Sequence, residues 1–590
     1  MLRKILNTIN YTLLLTIAVI AVSCSTAKKN ISIIETTDIH GVILPYDYVE
    51  NKKLNYSMAS SFDYIQKVRK EKDASVLLDD GDNLQGQPEV YYYNFIDTTS
   101  THFVADVMNY MGYDACTVGN HDVEAGHAVY DRLAKEDRFP LLAANAVSTV
   151  TGEPYFKPYK IIVKDGIRIA VFGMVTPAIP TWLPPSLYSG IEFKDMVETA
   201  KKWMPVIQNE KPDLIVGLFH SGWDKSESNL VETNNLNENG SAAVAYNVPG
   251  FNIIFNGHDH KTANEKFLNS AGDTVLILNG GSRSEKLAEA DITIWPGKSS
   301  AKKHMKISGK LVNVSDYSPS AEFLSKFAQQ DKIIGDYVNR EIGTCSETIS
   351  SRDSYFGSSA FIDMVHRIQL EITGADVSFA APLSFDVEIK KGPVTVADMF
   401  KLYRFENMLY TVSMSGEEIR KYLEYSYGIW LNTMSGPEDM LLKFRTGKDG
   451  KPAINNGKAW LKNQSYNFDS AAGIDYTVDA TKPEGSRIII RGFSDGRPFE
   501  QNKTYKVAVN SYRGNGGGGH FTEGVGITKD ELRKRLISST DRDLRYYILK
   551  SIEAKKTISP KALNNWKIIP ESWVQSAKSR EYPLLFGTNK

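Results

Sequence analysis

The feature that most constrains the fold is a pattern repeated from Ile31 to about Trp295: a short β-rich apolar run, then a polar loop, then a helical stretch. Strands that alternate with helices predict a layered α/β domain, in which the loops after the strands meet at the sheet edge. The predicted strands are residues 31–35, 75–78, 115–118, 141–144, 167–175, 214–219, 253–255 and 274–278.

Near Pro319 the pattern changes. Residues 321–342 have helical periodicity and few breakers, so residues 319–347 are predicted to form a connector helix. An α+β region follows over 348–590, with helices around 359–373 and 417–427 and strands at 409–414, 487–491 and 505–510. Because 590 residues are too many for one hydrophobic core, we expect two domains, residues 31–318 and 348–590.

The N-terminus has the composition of an export signal. Arg3 and Lys4 precede an apolar run at 11–22 that is too short to span a bilayer comfortably, and the run ends at Cys24. Residues 1–24 are therefore predicted to be a signal peptide, and their end resembles a lipobox in which Cys24 is lipidated. A plain signal peptide with a chance cysteine is the alternative. Residues 25–30 are predicted to be a polar tether, which would leave the protein extracytoplasmic and anchored to a membrane.

The net charge bears on the class of binding partner, and the cysteine content bears on whether a disulfide forms. A net charge of −1 and a pI near 6.8 argue against a nucleic acid polymer as partner, which would require a basic surplus. Cys116 and Cys345 are far apart in sequence. Export would permit a disulfide between them, but Cys116 lies in an apolar run, which favours a buried free thiol.

Potential metal ligands follow five of the predicted strands. Of ten histidines, five lie in these loops, where folding would bring them together. Mixed imidazole and carboxylate groups suit Zn, Mn, Fe or Co, whereas Ca prefers oxygen alone and structural Zn prefers thiolates. Seven candidates are too many for one ion and suit two ions about 3.5–4 Å apart that share a carboxylate. The candidates are Asp38, His40, Asp82, Asn120, His220, His258 and His260.

The order Asp-x-His, Gly-Asp, Gly-Asn-His-Asp, His-x-Gly and Gly-His-x-His resembles the calcineurin-like metallophosphoesterases. The resemblance implies a four-layer α/β/β/α domain that binds two divalent ions, Zn, Mn or Co. It places Asp38, His40, Asp82 and His260 on one ion, and Asp82, Asn120, His220 and His258 on the other, with Asp82 bridging. It also implies that His121 stabilises the transition state or protonates the leaving oxygen. Glu124, three positions later, is a weaker candidate for orienting His121, and a solvated carboxylate at a helix start is the alternative.

The second region resembles the C-terminal domain of the 5′-nucleotidase and 2′,3′-cyclic phosphodiesterase family. By motif, Phe405 and Tyr512 match two aromatic residues that enclose the nucleobase in that family, and Asn407 is a candidate hydrogen-bond partner. The resemblance implies an α+β substrate-binding domain and a nucleotide substrate. Alone, either aromatic residue would more often be part of a hydrophobic core.

The branch of this family follows from finer motifs. Residues 381–386 lack the arginine-bearing loop of 5′-nucleotidases, whereas residues 466–469, 473–476 and 510–513 look like the 2′,3′-cyclic-nucleotide 2′-phosphodiesterase and 3′-nucleotidase branch. We therefore expect an enzyme of this second branch that serves phosphate and nucleoside salvage. We also expect it to be a monomer. A 5′-nucleotidase or UDP-sugar hydrolase is the alternative enzyme. A nucleotide-binding surface protein without turnover is the alternative outside enzymes.

Overall fold

The computed structural model describes residues 28–231, 237–295, 304–455 and 457–587. Its N-terminal part contains two six-stranded sheets packed face to face. The first sheet, in spatial order, consists of His304–Asn313, Lys286–Trp295, Lys29–Thr36, Ala74–Asp79, Ala115–Thr117 and Leu141–Leu142. The second consists of Thr262–Leu268, Thr274–Gly280, Ile253–Asn256, Leu214–His220, Ile167–Val175 and Tyr159–Lys164.

The two sheets are held together by branched apolar side chains that alternate along the strands. Ile33 and Leu78 of the first sheet lie in one buried cluster with Leu218 and Phe255 of the second. Separate clusters lie on the outer faces, where helices cover the sheets. The helices of the N-terminal part are Met58–Glu71, Pro88–Phe95, Phe103–Met111, Asn120–Glu124, His127–Glu136, Met196–Asn209, Glu227–Val231 and Ser241–Asn247. The predicted four-layer α/β/β/α class is confirmed.

All eight strands predicted for this part are found, with ends shifted by at most two residues. The central strands of each sheet run parallel, which places their carboxyl ends together. Four antiparallel strands of these two sheets were not predicted: Tyr159–Lys164, Thr262–Leu268, Lys286–Trp295 and His304–Asn313. The predicted tether at 25–30 also needs correction, because Lys29 and Asn30 pair with Ile294 and Thr293 as the start of the first strand.

The predicted connector helix is not one helix. It consists of the helices Ala321–Lys326 and Ala328–Val338, which meet at Phe327 where the backbone departs from helical angles. The strand Glu341–Cys345 follows. Phe323 and Phe327 are fully buried in the core of the N-terminal part, so both helices pack on that domain and do not form a free linker.

The C-terminal part is an α+β domain, as predicted. Its largest sheet has the order Ser470–Ala472, Val377–Ala380, Thr504–Asn510, Met408–Ser415 and Leu536–Asp543. One three-stranded sheet consists of Gly392–Thr395, Glu341–Cys345 and Thr557–Ile558. A second consists of Ile488–Phe493, Ile474–Asp479 and Trp566–Ile569. The main helices are Ala360–Thr373, Val396–Leu402, Gly416–Trp430, Lys529–Lys534, Leu544–Lys555 and Glu571–Phe586. Its core contains Trp430 and Phe468, whose rings stack 5.2 Å apart.

Two expectations concern residues before 28. The signal peptide with Cys24, and residues 25–27 of the tether, lie outside the described residues. Within the described residues, no helix is long and apolar enough to cross a bilayer. Cys116 and Cys345 are free, buried thiols, which agrees with the preferred interpretation of Cys116.

Candidate active site

Six of the seven candidate ligands form two groups at the carboxyl ends of the parallel strands. One group contains Asp38, His40 and His260, and the other contains Asp82, His220 and His258, each with its ligand atoms within 4.8 Å of one another. His260 Nε2 lies 3.3 Å from Asp38 Oδ1, and His220 Nε2 lies 3.1 Å from Asp82 Oδ2. Two groups of side chains that could each hold one metal ion therefore lie where the sequence analysis expected two ions.

Asn120, the seventh candidate, lies between the two histidines of the second group. Its Oδ1 is 2.7 Å from His258 Nδ1 and 3.2 Å from His220 Nε2. The preceding residue must be glycine, because a Cβ at Gly119 would lie 2.2 Å from Asp82 Oδ1. The loop can therefore pass close enough to Asp82 for Asn120 to reach both histidines.

The histidine tautomers favour metal binding. His40 Nδ1 lies 3.1 Å from the carbonyl of Gln85, and His220 Nδ1 lies 2.5 Å from the carbonyl of Asp80. Because a carbonyl only accepts hydrogen bonds, each Nδ1 carries a proton, which leaves Nε2 as the nitrogen that can bind a metal. His40 Nε2 faces His260 Nε2 at 3.0 Å. Imidazole nitrogens that converge on each other and on carboxylate oxygens form a donor set that fits two divalent ions.

The ionisable groups of the site are coupled. Burial lowers the pKa of His220 and of His260, but the neighbouring carboxylates of Asp82 and Asp38 outweigh it and raise both pKa values, and a metal ion bound there would replace such a proton. Burial opposes the charge of Asp82, but His220 and His121 lower the pKa of its carboxyl well below the usual range. Burial lowers the pKa of His40 to about 4, which keeps its imidazole neutral and able to bind a metal at neutral pH.

Backbone strain is concentrated in the candidate ligands. Asp38, His40, Asp82, His258 and His260 all have positive φ angles, between 49° and 74°. This left-handed conformation is unfavourable for residues with a Cβ and costs about 1–3 kcal/mol each. Five strained residues in one site indicate that the surrounding loops hold the ligands in place for a purpose other than stability.

His121 and Glu124 lie in contact with each other beside Asp82, as the sequence analysis predicts. The His121 amide donates to Asp82 Oδ1 at 2.7 Å, and His121 Nδ1 lies 2.5 Å from Glu124 Oε2. Burial lowers the pKa of His121, but the charges of Asp82 and Glu124 outweigh it and raise the pKa to about 10. Glu124 therefore contacts His121 and is not a solvated carboxylate at a helix start.

Two further residues at His258 were missed by the sequence analysis. Glu238 Oε1 lies 3.0 Å from His258 Nε2, and the Trp182 ring packs against the imidazole with centroids 5.5 Å apart. A hydrogen bond joins the loop that contains Glu238 to the loop after His220: Ser221 Oγ donates to the Glu238 carbonyl at 2.7 Å. Nothing in the polar segment around Glu238 distinguishes it from a surface loop, so no sequence signal was available.

Asp122 was noticed only as part of a motif, yet its carboxylate joins two ligand loops. Oδ2 accepts the amides of Asp82 and Gly119 at 2.9 and 2.8 Å, and Oδ1 accepts those of Asn83 and Leu84 at 2.8 and 3.0 Å. Asp122 thus fixes the position of Asp82 relative to Asn120.

The predicted substrate-binding residues belong to the C-terminal domain and lie next to the metal-ligand groups of the N-terminal domain. One cavity of about 310 Å³ lies between the domains, next to the metal-ligand groups. Its walls combine side chains of the N-terminal domain with predicted and unpredicted residues of the C-terminal domain. They are Asn120, His121, Glu124, Trp182, Leu183, Glu238 and His258, and Leu383, Phe405, Asn407, Tyr466, Asn510 and Tyr512.

Comparison with known proteins agrees with this architecture. Residues 31–262 match the calcineurin-like phosphoesterase family, and residues 341–523 match the 5′-nucleotidase C-terminal domain. A 2′,3′-cyclic-nucleotide 2′-phosphodiesterase/3′-nucleotidase from Yersinia enterocolitica is 25% identical, over 94% of this chain and 91% of the relative. The trifunctional nucleotide phosphoesterase YfkN from Bacillus subtilis is 27% identical over 92% of this chain, but the chain spans only 39% of its length.

Solved structures share the fold. A Staphylococcus aureus protein crystallised with α-ketoglutarate has a TM-score of 0.72 and 21% identity, covering 91% of this chain and 99% of that chain. A 5′-nucleotidase precursor from Thermus thermophilus has a TM-score of 0.58 and 18% identity, covering 92% and 99%.

The fold and the site together define a metal-dependent phosphoesterase of the dinuclear type. The chain belongs to the calcineurin-like phosphoesterases that carry a 5′-nucleotidase C-terminal domain.

The contact between Glu238 and His258 leads to the first prediction. A carboxylate that accepts the Nε2 proton leaves the Nδ1 lone pair free for a metal, and such outer partners change metal affinity by about 10–100-fold. We expect Glu238→Ala to weaken binding of one of the two ions by about that factor, and Glu238→Gln to lie between alanine and wild type. Metal content after dialysis against graded chelator measures this.

The matched control for this experiment is Glu153→Gln, which changes an exposed carboxylate in a surface turn. Its metal affinity should equal that of the wild type. Retention of both ions by Glu238→Ala at every chelator concentration would show that Glu238 does not position His258.

Proposed function

We propose that the protein hydrolyses 2′,3′-cyclic nucleotides and then the resulting 3′-nucleotides, using two divalent ions, with Zn, Mn or Co as the candidates. The observation that carries this proposal is the cavity of about 310 Å³ between the domains, next to the metal-ligand groups. Its walls include the proposed metal ligands Asn120 and His258, as well as His121, together with the aromatic residues Phe405 and Tyr512. Relatives from Yersinia, Haemophilus and Salmonella that are named for this pair of activities support the choice of substrate.

The proposed ligands are the seven residues that converge at the strand ends, with Asp82 bridging. Ions bound there would activate a water molecule and offset the negative charge that develops on the phosphate. His121 would donate a proton or a hydrogen bond to the leaving oxygen through Nε2, because Glu124 holds Nδ1. A cationic imidazole at this position favours the transition state more than the substrate.

The substrate base would stack on Phe405 and Tyr512. Such stacking contributes about 1–3 kcal/mol per base and does not select among bases. The amide of Asn407, which lines the same cavity, is the proposed hydrogen-bond partner. Tyr466 packs edge-on against Phe405 with centroids 6.2 Å apart, and we propose that it supports that ring.

The role of His121 leads to the second prediction. We expect His121→Ala to retain both ions while slowing turnover by about 10²–10⁴-fold, the usual contribution of a positioned proton donor. Asp82→Asn should instead reduce the occupancy of both ions. Turnover and metal content are measured on the same preparations.

His127→Ala is the matched control, because His127 is also paired with a carboxylate and its side chain is 28% exposed against 29% for His121. It should keep full activity. Loss of metal from His121→Ala would show that His121 is a ligand and not the proposed proton donor.

The third prediction concerns the substrate. We expect 2′,3′-cyclic AMP and 3′-AMP to be hydrolysed faster than 5′-AMP, because a base held in one place cannot present phosphates on both sides of the ribose to the same ions. Values of kcat/KM for the three compounds decide this. Faster hydrolysis of 5′-AMP would favour the 5′-nucleotidase alternative, which the name of a Vibrio cholerae relative that is 26% identical supports. Binding of all three without turnover would favour the non-enzymatic alternative.

The fourth prediction concerns location. We propose an extracytoplasmic monomer, anchored by lipid on Cys24, with domains at 31–318 and 348–590. Mass spectrometry of the mature N-terminus should find a lipid-modified Cys24, and Cys24→Ala should release active protein from the membrane fraction. An unmodified N-terminus in exported wild-type protein would contradict the anchor.

A further inference from the structure

A second cavity, of about 300 Å³, lies between the domains and adjoins the first. At two places in the chain, neighbouring residues line different cavities, so the chain itself forms the wall between the two cavities. Leu383 lines the first cavity and Ser384 the second, while Phe405 lines the first and Arg404 the second. The second cavity is therefore separated from the proposed base-binding residues by the thickness of the chain.

Two arginines, one from each domain, face this cavity. Arg283 comes from the N-terminal domain and Arg404 from the C-terminal domain. Arg404 is exposed at the cavity, and partial desolvation there, followed by the like charge of Arg283, lowers the pKa of Arg404. Within the described part of the chain, the Arg404 guanidinium has no hydrogen bond or ion pair, and the ion pair of Arg283 with Asp47 is long, at 3.8 Å. Two like charges thus lie close together, and the carboxylate of Asp47 is the first of the two that oppose their repulsion, before that of Glu50.

The acidic residues in the wall are mostly engaged elsewhere. Asp386 binds Arg352 and Lys458 at 2.5 and 3.2 Å. Asp47 Oδ1 accepts the amides of Val49 and Glu50 in its own turn, at 3.1 and 2.9 Å. Asp47 Oδ2, which pairs with Arg283 at 3.8 Å, and the exposed carboxylate of Glu50 remain as the anions that compete for the arginines.

The backbone holds Arg283 in place at a cost. Arg283 and Ser284 have φ angles of 58° and 56°, two consecutive strained residues. The Arg283 amide donates to the carbonyl of Asp38 at 2.8 Å, which ties the arginine to a proposed metal ligand. The strain therefore fixes a cation between the metal-ligand loop and the other domain.

We infer that this cavity is an anion site in which Arg283 and Arg404 together bind a phosphate-type oxyanion. Guanidinium groups present paired donors that match phosphate oxygens, and an anion between them would remove their mutual repulsion. Two sources have this chemistry: a second phosphoryl group on the nucleotide substrate, or free inorganic phosphate. The first source rests on the proposed function, whereas the second does not.

The binding arm of the test uses inorganic phosphate and the metal-loaded full-length protein. The metal centre itself is expected to take one phosphate, so equilibrium dialysis with labelled phosphate should give two per chain for the wild type. Arg404→Gln and Arg283→Asn should each leave one. Asparagine is chosen at 283 because it tolerates a left-handed backbone better than other residues with a Cβ. Arg340→Gln, which removes one surface charge from an ion pair with Glu553, should keep two.

The substrate arm compares adenosine 3′,5′-bisphosphate with 3′-AMP. A charge-assisted hydrogen bond contributes about 1.5–3 kcal/mol, so Arg404→Gln should raise the ratio of the bisphosphate KM to the 3′-AMP KM by about 10–100-fold. The ratio is informative because a general disturbance of Phe405 would raise both values. A raised ratio identifies the substrate phosphate as the ligand, and loss of one bound phosphate with an unchanged ratio identifies the free anion.

The anion site is contradicted if both variants keep the phosphate stoichiometry of the wild type and the KM ratio is also unchanged. Failure of the proposed function is distinguishable from this result. If no nucleotide is hydrolysed, the dialysis experiment still reports whether the arginines bind phosphate.

Discussion

The site depends on the carboxylate of Asp122, which accepts four backbone amides from two loops. These loops follow different strands of the first sheet, Ala74–Asp79 and Ala115–Thr117. Without a shared acceptor, four buried N–H groups would lack partners, each at a cost of about 1–3 kcal/mol. The same hydrogen bonds set the distance between Asp82 and Asn120. One interaction therefore satisfies the buried amides and also positions two proposed metal ligands.

This arrangement explains how the protein retains unfavourable backbone angles in its ligand loops. The left-handed conformations of Asp38 and Asp82 persist because their amides are bonded to neighbouring loops, Asp38 to the Gly81 carbonyl at 2.9 Å and Asp82 to Asp122. Cations bound between the converging carboxylates and imidazoles would recover part of the cost, since they bind the folded state alone. The apolar layer between the sheets contributes the rigidity against which these loops are held.

The sequence was sufficient for the parts of the fold that obey a local pattern. Runs such as 167–175 are apolar, β-rich and bounded by polar loops, so their strands were predicted nearly to the residue. The strand Thr262–Leu268 alternates between exposed and half-buried residues at the sheet edge and was missed, because its side chains are largely polar. The break at Phe327 was missed because it depends on where that ring is buried.

The same distinction applies to the candidate site. Ligands that follow a strand, such as His220, could be predicted from their position, since topology brings strand ends together. Glu238 could not, because its approach to His258 is produced by contacts with Ser221, which only the folded chain reveals. Arg283 and Arg404 are 121 positions apart and meet only across the domain interface.

The interface itself is part of the site. Trp182 packs on His258 with its ring, and its backbone carbonyl accepts a hydrogen bond from Asn515 Nδ2 of the other domain at 2.9 Å. Nearby, Arg533 donates to the Pro180 carbonyl at 3.1 Å. The segment that forms one wall of the cavity is thus also a contact between the domains. Because these two contacts are polar hydrogen bonds, water would replace them if the domains separated. Separation would move Phe405 and Tyr512 away from the metal ligands while leaving the Asp122 hydrogen bonds intact, since those lie wholly within the N-terminal domain.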